Sequence, residues 1–138
     1  MKSRDTLIRL KRFQVDDKRR RVAQIEMMIA EFDRMAADLN REIATEEQKA
    51  GITDPNHFAY PTYARAAAQR RDNLRQSAEN LHAQLDDAKA ELGEAFEELK
   101  KAESLEDRER SVERTLDAVR EQAAIGHLGQ ARVLRASA

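Results

Sequence analysis

Gly51, Pro55 and Pro61 fall within eleven positions of one another, and the long stretches on either side carry almost no helix breaker. A proline inside a helix removes a backbone donor and collides with the preceding turn, so no helix passes through this segment. Gly93 is an isolated interior glycine, and Gly126 and Gly129 lie near the C-terminal end. The spacing predicts a helix over about 3–50, a break over 51–61, a second helix over about 62–124 and a flexible tail over 125–138.

Composition agrees with long helices that have little else to pack on. Charged residues make up 37% of the chain and aromatics 4%, and much of the apolar share is alanine. Such a chain cannot fill a broad core, and its strand formers are scarce. Ala, Glu, Lys, Leu and Arg in these proportions point to coiled coil. There is no cysteine, hence no disulfide framework and no thiolate metal site. The apolar runs are far shorter than the ~20 residues of a membrane span, and no apolar segment of the secretory kind follows the N-terminus. These features predict a cytoplasmic protein with no membrane insertion. A net charge of −1 gives no reason to expect a nucleic-acid partner.

The apolar positions repeat with heptad spacing. Ile8, Val15, Val22, Ile29, Ala36 and Ile43 recur every seven residues, with Ile25, Phe32 and Leu39 three after the later members. The equivalent positions before Ile25 are Lys11 and Lys18, so this seam is imperfect. In the second stretch Leu74, Ala78, Leu81, Leu85, Ala88, Leu92, Ala95, Leu99 and Ala102 follow the same rule. Leu105, Val112, Leu116, Val119 and Ala123 are displaced by one residue, which predicts a break of heptad phase near 102–105 and local overwinding of the pair.

A short break favours an antiparallel return. Charge leads to the same orientation: residues 1–22 are net +6 and residues 79–107 net −7, while the acidic stretch 26–47 is answered by Arg65, Arg70, Arg71 and Arg75. Folding at 51–61 sets position i near 112−i, with Lys18 to Arg21 opposite 91–94. Each surface pair contributes only ~0–1 kcal/mol, but together they select orientation and register. The predicted fold is therefore all-α: one domain, two long helices in an antiparallel coiled-coil hairpin. Asp54 before Pro55 suits an N-cap and predicts a turn of helix over 55–58, with Pro61 opening the second helix.

In that register the first helix runs out opposite residue ~108–110, leaving Val112, Leu116 and Val119 as an apolar stripe without an intramolecular partner. Such a stripe is a candidate binding surface, for another protein or for a second copy of the chain. The tip carries Phe58, Tyr60 and Tyr63, half of the six aromatics. Aromatics anchor interfaces; Phe58 also suits the closing of the coiled-coil end.

Nothing in the sequence reads as catalytic. His57, His82 and His127 are far apart and read as loop, surface and tail residues, no metal-ligand spacing occurs, and there is no phosphate-cradling glycine loop. A two-helix hairpin has no enclosed cavity in which to exclude water. The expectation is no enzyme, no cofactor and no metal. The basic run Lys18-Arg19-Arg20-Arg21 has the look of a phosphate or nucleic-acid patch, but Lys18 occupies a seam position and no aromatics interleave. Pairing with the acidic second helix is the reading the spacing favours.

The pattern Leu7-Ile8-Arg9-Leu10-Lys11-Arg12-Phe13, followed by Asp16-Asp17-Lys18-Arg19-Arg20 and Ala23-Gln24-Ile25-Glu26, resembles the FliJ family of bacterial flagellar type III export proteins. The tip sequence Gly51-Ile52-Thr53-Asp54-Pro55 extends the resemblance, which covers most of the chain to about residue 124. It implies a non-catalytic stalk at the cytoplasmic face of the flagellar base. Such a stalk binds the export ATPase hexamer, the cytoplasmic domain of the export gate and substrate chaperones. By the family's analogy with rotary-ATPase shafts, Arg9, Lys11 and Arg12 with Val112, Leu116 and Val119 would lie at the ATPase end, and Phe58, Tyr60 and Tyr63 on the gate side. The alternative is a self-associating coiled-coil spacer or scaffold.

Overall fold

The computed structural model describes residues 3–137, which form two helices: α1, Ser3–Ala50, and α2, Thr62–Ser137. Among the described residues there is no strand, and no helix is long and apolar enough to cross a membrane. The ends of the break follow from local chemistry. Asp5 in the first turn and Lys49 in the last complement the dipole of α1. Gly51 adopts φ +70° and donates its N–H to the Glu47 carbonyl at 2.9 Å, a left-handed helix cap that a glycine enters without steric cost. The Pro61 carbonyl accepts the first helical bond of α2, from Arg65 N–H at 3.1 Å. Pro61 is thus the cap of α2, where its missing donor costs nothing.

The tip departs from the expected helical turn over 55–58. Asp54 accepts the Asn56 N–H at its side chain (2.9 Å) and the His57 N–H at its carbonyl (3.0 Å). The His57 carbonyl then accepts from Tyr60 N–H at 3.1 Å, and His57 Nδ1 accepts from Ala59 N–H at 3.0 Å. Two successive tight turns result. Local side-chain acceptors capture the donors that a helix would need four residues back.

The chain divides into two compact units. One is Phe13–Ala95; the other combines Met1–Arg12 with Phe96–Ala138. Phe13–Ala95 holds two apolar clusters. Ile25, Ile29, Leu81, Leu85 and Ala88 are buried together with Val22 and Phe32 against them, and Ile43, Tyr60, Ala64 and Ala67 are buried with Leu39, Ile52 and Ala68. The seam is asymmetric, with Ile, Val and Phe on α1 meeting mostly Ala and Leu on α2. Large side chains against small ones fill the space between two helices without a third layer. Antiparallel pairing is visible in the cross-links: Lys18 Nζ donates to Glu91 at 3.0 Å, Arg71 to the Asn40 side chain at 2.9 Å, and Tyr63 to Glu42 at 2.8 Å. As residue numbers rise along α1, those of their partners on α2 fall.

Among the described residues of the second unit Ile8 and Ala102 are buried and Phe96 and Leu99 half-buried, and ion pairs cross between the helices: Lys11 to Glu98 at 2.8 Å, Arg12 to Glu103 at 3.8 Å, and Arg4 to Glu109 at 2.7 Å and Glu113 at 3.3 Å. These contacts correct the phase shift expected near 102–105. Ala95, Leu99, Ala102 and then Glu106 remain the covered or half-covered positions, so the seam keeps its original phase while Leu105 stays exposed. The displaced set Leu105, Val112, Leu116 and Val119 therefore lies on another face of α2, and no overwinding is required. The expected end of the second helix at 124 is also corrected, because α2 runs to Ser137 through Gly126 and Gly129. Each glycine costs a helix ~1 kcal/mol relative to Ala, which weakens this stretch without stopping it, and no proline follows.

Candidate partner interface

The first group of candidate residues lies within one unit. Arg9, Lys11 and Arg12 belong to its α1 segment, and Val112, Leu116 and Val119 to its α2 segment. Their surroundings differ. Lys11 and Arg12 are spent on the α1–α2 pair through Glu98 and Glu103. The hydrogen bond from Lys11 holds the Glu98 carboxyl below its ordinary pKa, because the adjacent ammonium favours the ionised form. Val112, Leu116 and Val119 are exposed, at 57%, 48% and 60%, and every residue from 107 to 130 is exposed with them.

Spacing shows why this exposure forms a surface. Positions 105, 112, 116, 119 and 123 recur at intervals that keep them on one side of a helix. Charged residues flank them, but Arg110 bonds Glu106 and Arg120 lies 3.9 Å from Asp117 along the same helix. Local pairing of this kind leaves the apolar stripe itself uncovered. Beside it, a shallow hollow is lined by Arg4, Arg108, Glu109, Val112 and Glu113. The α1 terminus thus meets α2 at the start of the stripe.

Arg4 was not among the candidates, yet it reaches two carboxylates of α2, Glu109 and Glu113. Its bonds to Glu109 and Glu113 raise its already high pKa further, so it is charged at any working pH. The signal was present in the sequence: Arg4 precedes Lys11 and Lys18 at intervals of seven.

The tip group belongs to Phe13–Ala95 and does not act as a set. Tyr60 is 6% exposed and packs in the cluster with Ile43, Ala64 and Ala67. Its hydroxyl donates to Glu47 at 3.2 Å, and Arg65 lies 5.7 Å from its ring centre. Burial and the Glu47 carboxylate both push the Tyr60 phenol pKa up. Tyr60, proposed from sequence as an interface anchor, is therefore a core residue, because the turn that its own N–H closes on the His57 carbonyl sets its ring in the cluster with Ile43, Ala64 and Ala67. Phe58, the residue suited to closing the coil, is 95% exposed and stacks on His57 with ring centres 4.7 Å apart. Tyr63 is half exposed, with its hydroxyl on Glu42 at 2.8 Å, which raises its pKa. Arg65, expected opposite the acidic part of α1, sits over the Tyr60 ring, whose hydroxyl donates to Glu47.

Among the described residues no group of three or more His, Cys, Asp or Glu side chains is placed to hold a metal ion. No protein-family model, no curated protein and no solved structure matches this chain.

Proposed function

We propose that this protein is a non-catalytic stalk of the flagellar type III export apparatus. In this reading it works at the cytoplasmic face of the flagellar base, binds the export ATPase ring through the C-terminal part of α2, and links the ring to the export gate and to substrate chaperones. The observation that carries the reading is the exposed stripe Leu105, Val112, Leu116 and Val119 on a helix that continues beyond its pairing with α1. An apolar face left in water forgoes ~25 cal/mol per Å² of possible burial, and a ring pore is a surface that would cover it. The N-terminal sequence pattern and the tip sequence supply the link to export rather than to another machine.

The test is a binding and turnover measurement with the purified export ATPase. Leu116→Asp with Val119→Asp should weaken binding by more than ~10-fold, as expected for two desolvated side chains. The thermal stability of the free protein should stay unchanged. The protein should have no turnover of its own and should raise that of the ATPase by favouring ring assembly. An unaltered ATPase rate at saturation would overturn the reading.

A further inference from the structure

Arg4, Lys11, Lys18, Ile25, Phe32 and Leu39 form a single heptad column of α1, cationic in its first three members and apolar in its last three. Each of the cations reaches a carboxylate of α2: Arg4 to Glu109 and Glu113, Lys11 to Glu98, and Lys18 to Glu91. From Ile25 on, the same column is held by apolar burial. Among the described residues of the unit containing the N-terminal segment, Ile8 and Ala102 are buried and Phe96 and Leu99 half-buried, so charge carries a larger share of the attachment of residues 3–12 than it does from Ile25 on.

Two details show that this attachment is incomplete. Glu98, Glu103, Glu109 and Glu113 are each about half exposed at the side chain, so dissolved ions can screen them. Arg4 is largely covered, and its Nε is buried without a hydrogen-bond partner. A buried, unsatisfied donor regains water when the segment lifts away.

We propose that residues 3–12 are an ionic strap: they open from α2 and reclose while Phe13–Ala95 stays paired, and ionic strength sets the open fraction. Residues 3–12 are the N-terminal end of α1, and a helix end released from its partner frays from its terminus, so each opening exposes its amides to exchange. Opening also uncovers the α2 face around Ala102, lengthening the part of α2 that stands without a partner helix.

The experiment is residue-resolved amide hydrogen exchange on the full chain at about 0.01 M and about 1 M sodium chloride, between which the Debye length falls from ~30 to ~3 Å. Exchange at residues 7–12 should accelerate by about tenfold or more, since the pairing of each of three cations, Arg4, Lys11 and Arg12, contributes a factor of roughly two to five. Residues 25–43 should change by less than about twofold, because apolar burial is not screened. Lys11→Leu places an apolar side chain in the column within the strap itself and should slow exchange at 7–12 and blunt its salt response. A charge exchange provides the second check: Lys11→Glu alone should open the strap at low salt, and Lys11→Glu with Glu98→Lys should restore closure. Salt-independent exchange at 7–12 in the unsubstituted chain would sink the proposal. So would equal acceleration at 25–43, which would make the opening global, or a charge exchange that restores nothing.

Discussion

At the scale of single residues, the side chains that decide the pairing are half-covered cations and not the exposed ones that look available. Lys11 and Lys18 sit where a coiled coil would take leucine, and each bends its ammonium out to a glutamate of α2 while its stem covers the seam. The Glu98 carboxyl gives a pH signature of this arrangement. Its pKa is lowered in the folded chain by Lys11 from the usual 4.5. A depressed folded pKa means that the unfolded chain binds the proton more readily, so the contribution to stability is complete above the unfolded value. It is lost as pH falls through the folded value. Glu98→Gln should therefore melt slightly below the unsubstituted protein at neutral pH, and the two melting temperatures should converge once the Glu98 carboxyl of the unsubstituted protein is protonated. An equal gap at neutral and acid pH would show that the charge on Glu98 contributes nothing to stability.

Among the elements, the turn and the helices place opposite demands on glycine. Gly51 ends α1 with a positive φ, a conformation that costs an L-residue ~1–2 kcal/mol. Gly93 lies in the middle of α2, where an added methyl would meet nothing within 4 Å. Two substitutions of the same chemistry should then act with opposite sign. Gly51→Ala is expected to lower stability by ~1 kcal/mol, and Gly93→Ala to raise it by about the same amount through helix propensity. Urea unfolding of both variants checks this. A loss of stability in Gly93→Ala would show that the added methyl meets a neighbour and that the site is not open.

For the whole molecule, the two units are stabilised differently. Phe13–Ala95 has apolar clusters at Ile25–Leu85 and at Ile43–Tyr60, whereas the unit of Met1–Arg12 and Phe96–Ala138 carries cross-helix ion pairs and is exposed at every position from 107 to 130. The exposed stripe invites association, and the remaining question at this scale is whether the chain covers the stripe with itself. Light scattering over a wide concentration range should return the monomer mass, 15.8 kDa, if the stripe is kept for a different protein. A concentration-dependent rise toward twice that mass, abolished by Leu116→Asp, would favour the self-associating scaffold over the stalk.

The sequence alone determined the two helices, their antiparallel order and most of the buried positions, because proline placement and a seven-residue apolar repeat act locally and leave few alternatives. Ile8, Val15, Ile29, Ala36 and Ile43 are buried as their spacing requires. Tertiary structure decided where the seam ends. From spacing alone, Leu105 and Val112 look like a continuation of the seam one residue out of phase. Only packing shows that α2 keeps its phase and presents Glu106, Glu109 and Glu113 along the side near Arg4, leaving the leucine and valine outside. The tip was decided in the same way. Composition gathers Phe58, Tyr60 and Tyr63 in one short segment, but which ring turns inward depends on the hydrogen bonds of Asp54 and His57, and those exist only once the chain has turned. The length of α2 had a further cause. Helix propensity near Gly126 is a sum over neighbours, and alanine, leucine and arginine around the glycines outweigh a cost of ~1 kcal/mol at each.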